Sequence, residues 1–272
     1  MNEKRRPKGN EPPRRVDRFA QREQTVEEVE GQLEGRNALT EALRSGRTID
    51  KVFIASGEID KGLQRLAAQA KEAGAVVVPV DRRKLDAMST THAHQGVITL
   101  AAAHEYCSID DILEVAAQRD EKALIVICDE LSDPHNLGAI LRTAECAGAH
   151  GVIIPKRRSV GLTATVAKAS AGAVEYMKVA RVTNINAAIS ELKEKGVWIF
   201  GTAAEGSIPM YKADLTGPAA IVIGSEGDGM SRLVRQSCDV TVHIPMKGRI
   251  TSLNASAAAS ILLYEAVRQR LN

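Results

Sequence analysis

Three short segments of this 272-residue chain place polar side chains directly after an apolar run. The first holds Asn136 and Arg142, the second is a glycine-rich run around Glu226, and the third holds Ser252 and Asn254. Amide, carboxylate, hydroxyl and guanidinium groups together can bind an anion, orient a hydroxyl group and stabilise developing charge. These residue types predict a polar catalytic cluster, provided that the fold brings the segments together.

Each segment also has an ordinary structural interpretation. Asn136 stands near a predicted helix start, where asparagine is a common cap. The glycines around Glu226 are typical of a turn, and the alanines after Asn254 are typical of helix packing. Arg142 is harder to explain in this way, because it follows an apolar run and a guanidinium in such surroundings requires an anionic partner.

The second and third segments have the character of ligand loops. Ile244–Leu263 contains a strand end, a glycine-containing loop and a helix start made of small residues, which let a backbone or a ligand approach closely. Ile221–Gly229 ends another apolar strand, but its glycines lack dinucleotide-binding spacing and no P-loop lysine follows. The pattern therefore argues against a nicotinamide-dependent dehydrogenase.

Strand and helix patterns alternate over residues 123–272, which predicts a mainly parallel sheet with helices on both faces. Ligands of such α/β folds bind at the carboxyl ends of the strands, where all three segments fall. Residues 31–103 are predicted to form a smaller α/β domain, and 104–122 a linker with a leading helix. Residues 1–30 are charged and lack apolar periodicity, which predicts a disordered basic tail that serves solubility or binds RNA phosphates.

The composition limits the class of protein. Hydrophobic residues make up 44% of the chain, the net charge is +2, and no apolar run approaches the roughly 20 residues of a membrane span. No secretory apolar core follows the charged N-terminus, so we expect a cytoplasmic protein. The four cysteines lack metal-ligand spacing and are predicted to be reduced packing residues, so no metal is expected. His92 and His94 have no acidic or cysteine neighbour in the sequence and are predicted to be loop residues.

The order and spacing of the three segments resemble the three motifs of the SpoU/TrmH family in the SPOUT RNA methyltransferase superfamily. The matching stretches are Asp133–Arg142, Ile223–Gly229 and Ile244–Ser256. Ser225 stands where many members have asparagine. Residues 31–103 resemble the RNA-binding substrate domain of the family, so the resemblance covers about residues 31–272. Members that methylate a guanosine ribose in large-subunit rRNA are the most similar.

The resemblance implies a homodimer whose catalytic domain contains a deep trefoil knot. Periodicity gives no sign of a knot, because threaded chains are too rare for pattern-based reasoning to propose one. The implied cofactor is S-adenosylmethionine, held in the knot mostly by backbone groups. The matching cofactor positions are Thr202, Gly224, Ile244, Met246 and Leu253. The matching catalytic cluster is Asn136, Arg142, Glu226, Ser252 and Asn254.

The implied reaction moves a methyl group from a sulfonium to a ribose 2′-oxygen, with loss of the hydroxyl proton. Family proposals make the first-motif arginine the base, but a group with a pKa above about 12 is a poor acceptor at neutral pH. We assign Arg142 to the target phosphate and the developing alkoxide, with phosphate or water receiving the proton. Lys156, Arg157 and Arg158 follow another predicted strand and are predicted RNA contacts, although a charged run is also typical of a solvated surface.

Two alternatives stay open on sequence grounds. The same chemistry on a tRNA or on a different rRNA ribose requires the same three motifs. A non-catalytic RNA-binding or ribosome-assembly protein could retain the fold, but such a protein has no need to keep all five polar residues of the catalytic cluster. The low aromatic content of 3% argues against an RNA reader that works by stacking bases.

Overall fold

The computed structural model describes residues 31–57, 60–102, 104–203, 208–227 and 229–271, so the predicted basic tail lies outside the described residues. The described residues form two α/β domains joined by a short segment. No helix among them is long and apolar enough to cross a membrane.

The N-terminal domain is a four-stranded sheet flanked by three helices. Its strand order is β1-β4-β2-β3, in which β4 runs antiparallel to β1 and β2, while β2 and β3 are parallel. Leu39, Val52 and Leu63 form the centre of its core. The elements are β1 (Gln32–Glu34), α1 (Arg36–Arg44), β2 (Ile49–Ala55), α2 (Lys61–Glu72), β3 (Val76–Val80), α3 (Arg82–Met88) and β4 (Val97–Ala101).

The C-terminal domain is a seven-stranded sheet in which every neighbouring pair is parallel. The strand order is β7-β6-β5-β10-β8-β11-β9. The strands are β5 (Leu124–Cys128), β6 (Gly151–Pro155), β7 (Lys178–Val182), β8 (Trp198–Thr202), β9 (Ile208–Pro209), β10 (Ala219–Ile223) and β11 (Val240–His243). The helices are α4 (Ile109–Gln118), α5 (Pro134–Cys146), α6 (Ala164–Ala169), α7 (Ile185–Glu194), α8 (Arg232–Ser237) and α9 (Ala255–Arg270).

Two apolar clusters cover the two faces of this sheet. Every residue of β5, β6 and β10 is buried, as expected for parallel strands that are covered on both sides. Leu141 and Leu262 bring α5 and α9 onto one face, while Ile112 and Ile189 bring α4 and α7 onto the other. The prediction of an α/β fold with a mainly parallel sheet is thereby confirmed.

The connecting segment belongs structurally to the C-terminal domain. Ser108 and Asp111 form a reciprocal capping box that starts α4. Ile112 packs so closely on the sheet that a Cβ atom at Gly151 would lie 2.5 Å from its Cγ1 atom. The predicted linker therefore includes a helix that completes the C-terminal core.

A buried ion pair joins the two domains. Arg181 Nη1 of β7 donates to Asp50 Oδ1 of β2 at 2.6 Å, and Tyr106 Oη donates to the same oxygen at 2.8 Å. The Asp50 and Arg181 side chains are only 4% and 5% exposed. Burial raises the pKa of Asp50, although Arg181 opposes this effect. Lys51 adds a hydrogen bond to the carbonyl oxygen of Ser159, so the small domain is anchored beside β6 and β7.

Most predicted elements agree with the structure within two or three residues, and the differences have local causes. Strands β1 and β9 were not predicted, because three and two residues are too short to show periodicity. The sequence pattern predicts a helix from Leu253 to Leu271, but α9 begins at Ala255 because Asn254 is its N-cap. All four cysteines are free, and Cys146 is exposed rather than packed in the core.

Candidate active site

The three polar segments meet along one edge of the seven-stranded sheet. Segment one follows β5, segment two follows β10, and segment three follows β11. Because these strands are parallel, their carboxyl ends lie on the same side. β5 and β10 are direct neighbours, and only β8 separates β10 from β11.

Asn136, Glu226 and Asn254 form a hydrogen-bonded cluster at this edge. Asn136 Nδ2 donates to Glu226 Oε1 at 2.8 Å, and Asn254 Nδ2 donates to the same oxygen at 2.5 Å. Asn254 Nδ2 also approaches Asn136 Oδ1 at 2.9 Å. One residue from each segment therefore contacts the other two, although 90 and 118 residues separate Asn136 from its partners.

Local helix chemistry explains how the two amides are positioned. Asp133 caps α5 by accepting a hydrogen bond from the His135 amide at 2.9 Å, and Pro134 occupies the first turn. Asn136 is consequently not the cap, and its 5% exposed side chain is directed to Glu226. Asn254 does cap α9, because its Oδ1 accepts from the Ser256 and Ala257 amides while its amide group binds the cluster.

The glycine-rich turn after β10 is closed by its own backbone. Ser225 and Gly229 exchange two backbone hydrogen bonds, each of 3.0 Å. A Cβ atom at Gly224 would lie 2.2 Å from the carbonyl carbon of Gly229 and 2.3 Å from the nitrogen of Met230. Only glycine fits at position 224, because both of these neighbours are backbone atoms.

A cleft of about 920 Å³ lies beside the cluster. Its walls include all five predicted cofactor positions, which are Thr202, Gly224, Ile244, Met246 and Leu253, together with Glu226 and Ser252. Its volume is within the range of about 300–1,000 Å³ that is usual for small-molecule sites. Met246 and Leu253 are each 38% exposed, so apolar surface is available to cover an adenine ring. The Thr202 hydroxyl donates to the Val222 carbonyl at 2.8 Å, which leaves its oxygen free to accept. The lining fits S-adenosylmethionine.

Arg142 and Ser252 lie apart from the hydrogen-bonded cluster. Arg142 is six residues beyond Asn136, which places it roughly 120° around α5 and about 9 Å along its axis. Its side chain is exposed, and no hydrogen bond or ion pair joins it to another described residue. The anionic partner that the sequence argument requires is therefore not among the described residues. Ser252 lies in the loop before α9 and lines the cleft.

Sequence reasoning missed Asp129, a buried residue that holds the backbone next to the site in place. Asp129 is 3% exposed at the end of β5, and its Oδ2 accepts from the Ser231 amide at 2.7 Å. This contact ties the exit of the glycine-rich turn to the strand that leads to Asn136. The available signal was an acidic residue that directly follows six apolar ones.

The predicted RNA-binding residues lie after β6, beside the small domain. Lys156 Nζ would lie 3.5 Å from a Cβ atom added at Gly74, so the lysine reaches the N-terminal domain. Arg158 pairs with Glu130 at 3.0 Å, whereas Arg157 is exposed. Across the described ranges, no group of three His, Cys, Asp or Glu side chains is arranged to hold a metal ion.

Comparison with protein families gives two matches. Residues 123–264 match the SpoU rRNA Methylase family, and residues 32–107 match the domain described as RNA 2′-O ribose methyltransferase substrate binding. The two matches cover the two domains of the structure.

Individual relatives span nearly the same length. The chain is 48% identical over 236 residues to YacO of Bacillus subtilis, named as a TrmH family tRNA/rRNA methyltransferase. The aligned residues make up 87% of this chain and 94% of YacO. The solved structure of the SpoU methyltransferase AviRb from Streptomyces viridochromogenes with AdoMet has a TM-score of 0.57 and 25% identity, over 88% of this chain and 90% of AviRb. The solved structure of an AdoMet-bound rRNA methyltransferase from Sinorhizobium meliloti has a TM-score of 0.56 and 26% identity, over 89% of this chain and 88% of that protein.

Proposed function

Because the chain belongs to the SpoU rRNA methylase family of S-adenosylmethionine-dependent RNA ribose 2′-O-methyltransferases, we propose that its substrate is a guanosine of large-subunit rRNA. The observation that supports the methyl-transfer chemistry is the position of the Asn136–Glu226–Asn254 cluster at the cleft that contains all five cofactor positions. The substrate domain and the likeness to an rRNA methyltransferase over both domains support rRNA as the target. The proposed compartment is the cytoplasm.

The polar cluster orients the nucleophile. S-adenosylmethionine, when bound, supplies an electrophilic methyl group on a sulfonium. Glu226 Oε1 accepts hydrogen bonds from two side-chain amides, while Oε2 has no donor among the described residues and can accept a hydrogen bond from the ribose 2′-hydroxyl. Ser252, on the cleft wall, can contact the same ribose. By holding the ribose oxygen at reacting distance from the methyl group that the cofactor would supply, these residues would contribute much of the catalysis.

We assign Arg142 to the RNA phosphate and to the alkoxide that develops as the proton leaves to phosphate or water. Its exposure leaves the guanidinium free to meet an anion from outside the chain. We expect Arg142→Ala to lower the single-turnover rate of methyl transfer about 100-fold or more while the Kd for S-adenosylmethionine stays within twofold. Arg142→Lys keeps charge without the planar fork and should recover only part of the rate. Loss of cofactor binding with unchanged RNA affinity would contradict the assignment.

A homodimer is the proposed assembly. Helix α5, which carries Arg142, shares one face of the domain with α9, since Thr143 and Ser260 are hydrogen-bonded across the two helices at 3.1 Å. This face exposes 37% of Ile261 and 51% of Tyr264. Exposed apolar side chains that lie close together on one helix are typical of a protein interface. A second copy on this face would place another protein surface beside Arg142. The trefoil knot implied by the family stays a prediction.

Lys156, Arg157 and Arg158 are the proposed phosphate contacts at the domain junction. Their position between the active-site edge and the substrate domain supports this role. Arg158 is neutralised in part by Glu130, so Arg157 is the strongest candidate of the three. Contacts of this kind position RNA without reading its sequence.

Mapping of 2′-O-methyl groups tests the proposed target. Total RNA from cells with and without this protein should differ at one guanosine of large-subunit rRNA. Loss of a tRNA methyl group instead would establish the tRNA alternative, which the name of the Bacillus subtilis relative also allows. An unchanged map, together with normal S-adenosylmethionine binding by the purified protein, would favour a non-catalytic RNA-binding role in ribosome assembly.

A further inference from the structure

A second cavity, of about 490 Å³, lies in the N-terminal domain and shares no lining residue with the cofactor cleft. We call it the domain pocket. Its wall carries both charged and apolar groups, including Arg36, Asp60, Arg82, Gln95, Ala55 and Leu63. The volume suits a single nucleotide-sized ligand. Neither the catalytic motifs nor the reaction uses these residues.

The polar wall of the domain pocket is a connected network. Arg36 Nη2 pairs with Asp60 Oδ2 at 2.6 Å, and its Nε donates to the Gln95 carbonyl oxygen at 3.3 Å. The Gln95 side-chain oxygen accepts from the Arg36 amide at 3.3 Å. Asp60 Oδ1 accepts from the Leu63 amide at 3.0 Å. Helices α1 and α2 and the loop before β4 are therefore fixed relative to one another.

The loop that supplies Gln95 is held in place by a single carboxylate, that of Glu34. It accepts hydrogen bonds from the Ser89 hydroxyl at 2.6 Å, from the Thr90 amide at 2.7 Å and from the Thr91 amide at 3.3 Å. Burial raises the pKa of Glu34, but these hydrogen bonds outweigh it and hold the pKa well below its usual range. Gln95 keeps a left-handed backbone with φ of 49°, which persists only where surrounding contacts hold it. The loop is thus preorganised.

His94 fixes the far end of the same loop. It is 4% exposed, its Nε2 lies 2.9 Å from Asp86 Oδ1, and its Nδ1 accepts from the Gly96 amide at 3.0 Å. The sequence expectation that this histidine has no acidic partner is therefore wrong, since the partner lies eight residues earlier on α3. The contact holds Gly96, another residue of the pocket wall, in position.

We propose that the domain pocket binds one unpaired nucleotide of the substrate RNA, away from the ribose that is methylated. Sequence-specific RNA recognition usually takes an unstacked base, which needs donors and acceptors for its edge and apolar surface for its ring. Arg36, Asp60 and Gln95 offer both donors and acceptors, and Ala55 offers apolar surface beside the buried Leu63. Arg82 is exposed and has no ion-pair partner among the described residues, so it is available to a phosphate. This inference rests on the proposed RNA substrate.

Three variants of the full-length protein test the proposal by filter binding to a large-subunit rRNA transcript and, in parallel, to total tRNA. Arg82→Ala removes the phosphate contact, and Ala55→Met fills the cavity without changing charge. Arg65→Ala is the matched control, because Arg65 is an exposed arginine on α2 of the same domain that does not line the domain pocket. S-adenosylmethionine binding confirms that the catalytic domain of each variant is intact.

The two pocket variants should weaken binding in different ways. For Arg82→Ala we expect about fivefold weaker binding and a plot of log K against log salt that is shallower by roughly 0.7–0.9. For Ala55→Met we expect at least about fivefold weaker binding with an unchanged salt slope, because space for the base rather than a charge is lost. Arg65→Ala should stay within about twofold of wild type.

Equal losses for Arg82→Ala and Arg65→Ala would overturn the proposal, because they would indicate a diffuse charge effect. Wild-type affinity for Ala55→Met would overturn it as well, because the cavity would then be unused. Failure of the wild-type enzyme to methylate either RNA would instead refute the proposed function. The binding comparison among the variants would still report on the domain pocket.

Discussion

Replacement of Gly224 by alanine should damage cofactor binding more than its size suggests. The added Cβ would lie 2.2 Å from the Gly229 carbonyl carbon and 2.3 Å from the Met230 nitrogen. Ordinary contacts start at 3.4 Å, so the two backbone segments must separate by about 1 Å. Both hydrogen bonds between Ser225 and Gly229 resist this separation.

The cost can be estimated from overpacking. Inserting a methyl group into a tightly packed position costs about 1–3 kcal/mol. The free protein can relieve the overlap by opening the turn, whereas the bound form requires Gly224 at the cleft wall. Since each 1.4 kcal/mol is about a tenfold change in affinity, we expect S-adenosylmethionine to bind roughly 5- to 150-fold more weakly.

Isothermal titration calorimetry with S-adenosylmethionine measures this change without RNA. Gly227→Ala is the matched control, because Gly227 belongs to the same turn but its added Cβ would meet nothing within 4 Å. We expect its Kd to stay within about twofold of wild type. Wild-type affinity for Gly224→Ala, or an equal loss for Gly227→Ala, would refute the role of the close backbone approach.

Three further predictions concern stability and assembly. Asp50→Ala leaves Arg181 buried without its partner and should lower the free energy of unfolding, measured in urea, by about 3–5 kcal/mol. The control Glu41→Ala removes the exposed Glu41–Arg44 pair and should lower it by less than about 1 kcal/mol. Equal effects would contradict the buried-pair argument. Burial lowers the pKa of His150, so the unfolded chain gains a proton that the folded chain does not as pH falls through about 6.5. Wild-type stability should therefore fall from pH 8 to pH 5.5, and His150→Gln should flatten that dependence; an equally steep curve for the variant would exclude His150 as the cause. If the proposed homodimer forms through α9, Ile261→Glu should make the protein monomeric in light scattering, while Leu233→Glu, at another exposed apolar site on α8, should not; a dimeric Ile261→Glu would place the interface elsewhere.

The framework of the fold was readable from the sequence because its strands are continuous apolar runs. The runs Val76–Val80 and Gly151–Pro155, for example, predict strands with the bounds that β3 and β6 have in the structure. The start of α5 was readable but missed: Asp133 before Pro134 is a capping residue followed by a first-turn proline, which moves the helix start two residues ahead of Asn136. β9 depends on pairing with β11, a tertiary contact that no local pattern records.

The candidate site, like the fold, could be predicted from the sequence only in part. The five cofactor positions came from the family resemblance, and all five lie on the wall of the cleft. Which polar groups touch was not predictable, since the contacts join positions about a hundred residues apart. Arg142 shows the limit most clearly. Its apolar neighbours in sequence suggested burial, but helix geometry directs it to solvent.

The rigid attachment of the small domain has a consequence for specificity. Asp50, Arg181 and Tyr106 fix the domain against β7, and Lys51 fixes it against the loop after β6. The proposed nucleotide pocket and the cofactor cleft are therefore held at a constant separation. An RNA that places one unpaired nucleotide in the domain pocket can bring only certain riboses to Glu226. The target ribose would then be selected by its distance from the bound nucleotide in the folded RNA. This suits a chain whose aromatic content of 3% offers few surfaces for stacking a target base.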